Sequence, residues 1–270
     1  MNDRYELLAP IAEGGLGTVF RALDRQMGRE VAVKRLLPAT AGNSAAALDA
    51  LLHEARRQSA LHHPSIVSVI EAGTDSQGAF IAMELVHGET LEARLTRSAL
   101  TLAEFHDLVL QTLAALDAAH SAGVIHLDLK PENLMLAHHP DGGIHVKILD
   151  FGLARDLENT ALEPTPSPVQ GSIFFMAPEQ FQRAPVDVRT DIYSLGCLFY
   201  YAWAHQPPFA GETKPQVMVS HLYHRTTPLS QVRPGLPERT VRWIEWLTSR
   251  HPADRPASVA AALQAFSAAD

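Results

Sequence analysis

A chain of 270 residues, 46% hydrophobic and 19% charged, has ample material for a large buried core, which excludes a disordered or fibrous polypeptide. A formal charge of −8 without a dense basic block excludes a general nucleic-acid binder, and the single cysteine, Cys197, excludes an intramolecular disulfide and fits a reducing compartment. No apolar run reaches the roughly 18–20 residues of a membrane span, and Met1-Asn2-Asp3-Arg4 is no signal peptide, so a soluble, cytoplasmic chain with no membrane segment is expected.

Residues 5–37 alternate short apolar runs with glycine and polar breaks, the pattern of an antiparallel sheet. Within them, Ile11-Ala12-Glu13-Gly14-Gly15-Leu16-Gly17-Thr18-Val19 sets glycines where a strand turns back on itself. Such a turn is either a plain hairpin or a place where backbone N–H groups approach phosphate oxygens with no Cβ in the way. Val31-Ala32-Val33-Lys34 follows; alone, a lysine ending an alternating strand reads as a solvated surface cation. Residues 36–43 read as a loop, and 44–61 as a helix with Glu54 near its middle. Taken by itself, Glu54 equally suits a pairing with Arg57 or Gln58 on an exposed face. Further strands are expected over residues 66–72 and 79–85, about the turn Thr74-Asp75-Ser76-Gln77-Gly78, and Glu89-Thr90-Leu91 opens helical sequence.

Apolar residues at Phe105, Leu108, Val109, Leu113 and Leu116 give residues 101–122 a helical spacing that stops at Gly123. The stretch around which the chain is organised follows: His126-Leu127-Asp128-Leu129-Lys130-Pro131-Glu132-Asn133, then Ile148-Leu149-Asp150-Phe151-Gly152. Phosphoryl transfer from a metal-bound nucleotide needs this set of residue types: a carboxylate to orient the attacking hydroxyl, oxygen ligands for Mg²⁺, and a cation to balance charge on the moving group. Residues 153–171 are polar, contain Pro164, Pro166 and Pro168, and read as a long flexible loop closed by Met176-Ala177-Pro178-Glu179. Residues 187–203 read as a mostly apolar helix in which Cys197 is a buried structural thiol. Helical segments separated by Pro-containing loops run to residues 258–268.

In this order, the glycine-rich turn followed by V-A-V-K, the H-x-D-x-x-x-x-N and D-F-G stretches, and A-P-E resemble the motif set of protein kinases. Residues 128–133, Asp-Leu-Lys-Pro-Glu-Asn, resemble the serine/threonine version, and the matching motifs span Ile11 to Arg255. The chain is identified on these residues as similar to the eukaryotic-like serine/threonine protein kinases of bacteria. The resemblance implies an α+β, bilobal protein-kinase fold: a small antiparallel β lobe with one main helix over residues 1–83, a hinge at 84–88, and a larger mostly helical lobe over 89–270. It implies ATP and Mg²⁺ as cofactors and proteins with Ser/Thr acceptors as substrates, with autophosphorylation.

The site roles it implies are these. Asp128 orients the acceptor hydroxyl, Lys130 stands beside the γ-phosphoryl group, and Asn133 and Asp150 hold Mg²⁺. Lys34 contacts the α- and β-phosphates with Glu54 fixing its direction. Ile11, Ala12, Gly14, Gly15 and Gly17 cover the nucleotide, while Val19, Ala32 and Met135 sandwich the adenine. Met83 lies at the back of that pocket, and the backbones of Glu84 and Val86 hydrogen-bond the purine. Ser172 helps recognise a substrate hydroxyl near Asp128, and Glu179 with Arg255 makes a buried pair.

Three positions depart from the family pattern. Ala12 replaces the first glycine of the turn, which stiffens the loop without breaking it where φ stays negative. Gln58 stands where kinases carry an apolar residue behind the mobile helix and needs a hydrogen-bond partner there. Leu127 stands where many kinases carry an arginine for a phosphorylated activation loop. The last implies a weak dependence on phosphorylation at Thr160, Thr165, Ser167 or Ser172, unless Arg56, Arg57 or Arg155 supplies the cation. The histidine pairs His62-His63 and His138-His139 lack the spacing of a closed zinc site, and no cysteine joins them. Two rival readings are a small-molecule phosphotransferase, against which the A-P-E stands, and an ATP-binding scaffold, favoured only by Ala12 and Gln58.

Overall fold

The computed structural model describes residues 4–14, 17–36, 52, 55, 59, 61–76, 78–138, 143–151 and 172–268. The chain divides into two compact units, Met1–His87 and Gly88–Asp270.

The first unit is an antiparallel sheet of β1 (Tyr5–Gly14), β2 (Gly17–Asp24), β3 (Arg29–Leu36), β4 (Val69–Asp75) and β5 (Gly78–Glu84), in the order β1-β2-β3-β5-β4. Two cross-strand rows set its register: Ala12–Val19–Lys34–Ile81 and Arg21–Ala32–Met83. Directly opposed residues share a face, as do alternate residues of one strand, so Ala12, Val19, Ala32, Lys34, Ile81 and Met83 stand on one side of the sheet. The other side carries the core of Tyr5, Ala22, Val31, Val33, Phe80 and Ala82, with Tyr5 and Phe80 edge to face at 5.8 Å. Arg4 fastens the sheet's ends, donating to both carboxylate oxygens of Asp24 at 3.1 and 2.8 Å and to Glu71 at 2.9 Å. Arg35 and Asp75 form a two-pronged pair at 2.8 Å.

Strand β4 begins later than expected, at Val69 rather than residue 66, because the chain from His63 is still turning: the Ile66 N–H donates to the His63 carbonyl at 3.1 Å. Gly78 turns the hairpin with φ 112°. Of the helix expected over residues 44–61, Leu52 and Ala55 are helical and buried; Glu54 and Gln58 lie outside the described residues.

The second unit has a small sheet, β6 (Glu89–Thr90), β7 (Leu134–His138) and β8 (Ile144–Ile148), in that order, and is otherwise helical. Glu89-Thr90 is a correction to the sequence reading: it pairs with Leu136 and Met135 as a strand before the helix opens. Gly88 makes this possible, since a Cβ there would fall 2.3 Å from the Leu136 carbonyl oxygen. Thr90 then caps α1 (Leu91–Arg97) by accepting from the Ala93 N–H. Helix α2 (Leu102–Ser121) opens with a capping box of Thr101 and Glu104 and buries Phe105, Leu108, Val109, Leu113 and Leu116. Its Gln111 grips β8, donating to the Ile144 carbonyl and accepting from the Val146 N–H, both at 2.9 Å.

Helices α3 (Pro178–Phe181), α4 (Val188–Ala204), α5 (Lys214–Leu222), α6 (Leu229–Val232), α7 (Glu238–Leu247) and α8 (Val259–Ser267) complete the unit. Helix α4 is its centre, capped by Asp187 and buried at Ile192, Tyr193, Leu195, Cys197, Leu198 and Phe199. Gly196 lets the end of α7 approach, because a Cβ would lie 2.6 Å from Thr248 Cγ2. Among the described residues, no helix is long and apolar enough to cross a membrane.

Candidate active site

Helix α2 delivers the chain to a loop that buries Leu129 and is held in place by polar contacts. Asp191, fully buried on α4, accepts the backbone N–H groups of His126 and Leu127 at 2.8 Å each, and His120 Nε2 lies 2.8 Å away. Leu127 adopts φ 63°, a left-handed conformation that a branched side chain enters only when its surroundings impose it. Gln180 Nε2 donates to the Leu127 carbonyl at 3.2 Å, so both backbone polar groups of Leu127 are held. The buried ring of His126 lies against Phe151, with centroids 4.7 Å apart. Its Nε2 donates to the Leu149 carbonyl at 2.9 Å, which leaves Nδ1 of a neutral ring to accept the Asp128 N–H at 3.2 Å.

These contacts bring three of the expected site side chains into one network. Asp128 Oδ2 accepts from Lys130 Nζ at 2.7 Å and from Asn133 Nδ2 at 3.3 Å. Asn133 Nδ2 also donates to the Asp128 carbonyl at 2.8 Å. With its amide nitrogen committed, Asn133 turns Oδ1 to a position where no described residue donates to it. The Leu149 N–H donates to the Asn133 carbonyl at 2.8 Å, which brings Asp150 beside this strand end with φ 51°. An amide oxygen and a carboxylate are hard donors of the kind Mg²⁺ takes, so the residues present fit that ion. Ser172 meets Asp128 through Lys130, whose Nζ donates to the Ser172 Oγ at 3.0 Å.

Downstream, the expected pair of Glu179 and Arg255 forms, with contacts of 2.7 and 2.9 Å. All five guanidinium donors are used, the others reaching the carbonyls of Ser249, Arg189 and Arg250. Thr190 adds a bond to Glu179 at 2.9 Å, and the Tyr193 ring lies 4.7 Å beneath the guanidinium.

In the first unit, Gly17 has φ 150°, and a Cβ there would fall 1.9 Å from the Arg35 carbonyl oxygen; only glycine fits. Gly14 faces it across the hairpin. Ile11 and Ala12 are exposed on β1, and Val19 is half-buried opposite Ala12. Lys34 is 6% exposed, which rules out the solvated-surface reading; Ala32 and Met83, paired beside it, are buried. The Glu84 N–H donates to the Ser68 carbonyl at 3.0 Å, and Val86 is half-buried. Met135 is half-buried on β7 of the second unit, between Thr90 and Lys147. Gly15 and Glu54, with Arg56, Arg57, Arg155, Thr160, Thr165 and Ser167, lie outside the described residues.

Sequence reasoning missed Asp191 and Gln180 as the supports of the loop that carries Asp128. A signal for the first was present: Asp191 is an acidic residue inside an otherwise apolar run, a position that requires buried donors.

The protein kinase domain family profile matches residues 5–266. Over 94% of its length the chain is 36% identical to the serine/threonine-protein kinase PknA of Mycobacterium tuberculosis, of which it covers 58%. Over 94% of its length it is likewise 36% identical to a relative from Corynebacterium glutamicum that carries the name PknB, of which it covers 40%. The chain thus spans about half the length of these relatives. Rad53, solved in complex with AMP-PNP, superposes with a TM-score of 0.79 at 26% identity, covering 97% of this chain and 65% of that one. The profile and the relatives agree with the geometry of the loop: the chain belongs to the protein kinase domain family.

Proposed function

We propose that the protein transfers the γ-phosphoryl group of ATP to serine and threonine hydroxyls of proteins, itself included. The observation that carries this is the Asp128–Lys130–Ser172 chain, in which a carboxylate, a cation and a serine hydroxyl meet within 3.0 Å. Asp128 orients the acceptor O–H; as the new O–P bond forms and the bridging O–P bond of ATP breaks, the proton leaves by way of Asp128 and ADP departs. Lys130 stabilises charge on the group in transit. Asn133 and Asp150 would hold Mg²⁺, which when bound offsets the negative charge of the phosphates. Lys34 and Glu54 align the phosphates, the glycine-rich turn covers them, and Val19, Ala32, Met83 and Met135 take the adenine, with Glu84 to Gly88 as hinge. Burial of Lys34 on the sheet face that also carries Val19 and Ala32 supports a place for it at the nucleotide, and the AMP-PNP held by Rad53 supports a nucleotide. The buried single cysteine fits a cytoplasmic setting.

The test is phosphopeptide mapping after incubation with Mg-ATP, wild type beside Asp128→Asn. Loss of a positioned carboxylate should slow transfer by roughly 10²–10⁴-fold. Phosphate in neither protein, with ATP still bound, would replace this reading with an ATP-binding scaffold.

A further inference from the structure

Helix α5 ends in a tight reversal: the Tyr223 N–H donates to the Val219 carbonyl at 2.9 Å and the Arg225 N–H to the Ser220 carbonyl at 2.8 Å, with His224 at φ 53°. The reversal turns the Tyr223 ring outward, where it is 63% exposed, more than any other large hydrophobic side chain among the described residues. Two arginines from separate segments gather on that ring. The Arg225 guanidinium lies 5.5 Å and that of Arg250 6.0 Å from its centroid. Both are exposed, and neither makes an ion pair among the described residues, whereas nearby Arg189, Arg242 and Arg255 pair with Asp187, Glu238 and Glu179. Two cations without an ion partner thus share one exposed aromatic ring in a chain of formal charge −8.

The backbone beneath the patch, though not the arginine side chains, joins the network that reaches the loop carrying Asp128. The Arg250 carbonyl accepts from Arg255 Nη2 at 2.9 Å, and the same nitrogen binds Glu179. Gln180, the next residue, holds the Leu127 carbonyl.

We propose that Tyr223, Arg225 and Arg250 form a docking surface for an acidic stretch of the protein substrate; this rests on the protein-kinase reading above. Guanidinium forks match carboxylates, and a ring beneath them restricts their motion while leaving their in-plane donors outward. An extended peptide presents alternate side chains on one side, so a run of acidic residues offers more than one carboxylate to the pair of arginines. The overall negative charge repels an acidic segment elsewhere and directs it to this patch, over a range of about one Debye length, ~8–10 Å.

The experiment uses two peptides with the same serine acceptor, one extended by an Asp/Glu-rich tail, and the double variant Arg225→Ser/Arg250→Ser, whose folding is checked by its melting curve. Fluorescence anisotropy should show the tailed peptide bound by wild type, more weakly as salt is raised. The double variant should bind it roughly 5- to 20-fold more weakly, because exposed ion pairs are individually modest. In turnover, KM for the tailed peptide should rise by a similar factor, with kcat and the constants for the untailed peptide unchanged. Equal binding of tailed and untailed peptides, or no effect of the double variant, overturns the proposal. Arginine-dependent binding to phosphatidylserine vesicles in place of the peptide overturns it too. Arginine-dependent binding without phosphorylation of either peptide would instead defeat the kinase reading and leave an acidic-peptide surface standing.

Discussion

Asp191 accepts one backbone N–H on each carboxylate oxygen, from His126 and from Leu127, both at 2.8 Å. The loop that carries Asp128 is therefore suspended from the central helix by the backbone of the two residues that precede Asp128. Asp191→Ala leaves two buried donors unpaired, each costing about 1–3 kcal/mol, so a loss of about 3–5 kcal/mol in urea unfolding is expected. Phosphate transfer per folded molecule should fall with it, while Asp191→Asn, which keeps the shape and one acceptor, should lose less on both counts.

Arg255 separates charge from geometry. Arg255→Lys keeps the cation but not five donors in a rigid plane, and should destabilise by about 2–3 kcal/mol. Arg255→Ala strands a buried Glu179 and should lose about 3–5 kcal/mol. Equal losses for the two variants in chemical denaturation would show that the fork geometry contributes nothing.

Burial pulls the imidazole of His221 down to about 3, with the nearby His224 adding to the effect, while its Nδ1 lies 2.8 Å from the Tyr193 hydroxyl. The folded state thus binds this proton less readily than the unfolded one, whose value is near 6.5. Stability from this group is complete above about pH 6.5 and declines by ~1.4 kcal/mol per unit as pH falls, levelling near the folded value. Melting temperature against pH should follow that slope, and His221→Gln, which cannot take the proton, should flatten it.

Gly17→Ala should distort the β1–β2 hairpin, since its methyl would overlap the Arg35 carbonyl. A loss of about 1–3 kcal/mol is expected for enforcing this backbone conformation on a residue with a side chain, together with a raised KM for ATP in the kinase assay.

The loop that carries Asp128 is held through the backbone of Leu127, whose side chain offers no cation for a phosphate, and Lys130 is already engaged by Asp128 and Ser172. Alanine at Thr160, Thr165 and Ser167 together should leave most turnover intact. Abolished turnover would show that another cation, such as Arg155, reads the activation loop.

Much of this was legible because short motifs carry it. The helix over 187–203 was recognisable from its apolar run, and Asp187 proved to be its N-cap. The residues Asp128, Lys130 and Asn133, read as a set of chemical types, do share one network. Strand β6 was not legible: two residues show no periodicity, and their partners lie 45 or more positions away on β7. The start of β4 was misplaced because buried Ile66 and Val67 look like strand residues, although Ile66 only closes the turn at Pro64–Ser65 and the strand does not begin until Val69. The mediation of Ser172 through Lys130, and the suspension of the loop from Asp191, are long-range polar contacts, which spacing along the chain does not encode.

Cys197 lies at the middle of α4 with no exposed surface, and burial pushes its thiol well above the usual range. Because it is the chain's one cysteine, each molecule carries a single alkylation site that is silent until the helix leaves the core. The protein therefore contains its own opening clock: the rate at which one adduct's mass appears in iodoacetamide counts excursions of the larger unit, and ATP or a docked peptide that steadies this unit would slow it without any label being introduced.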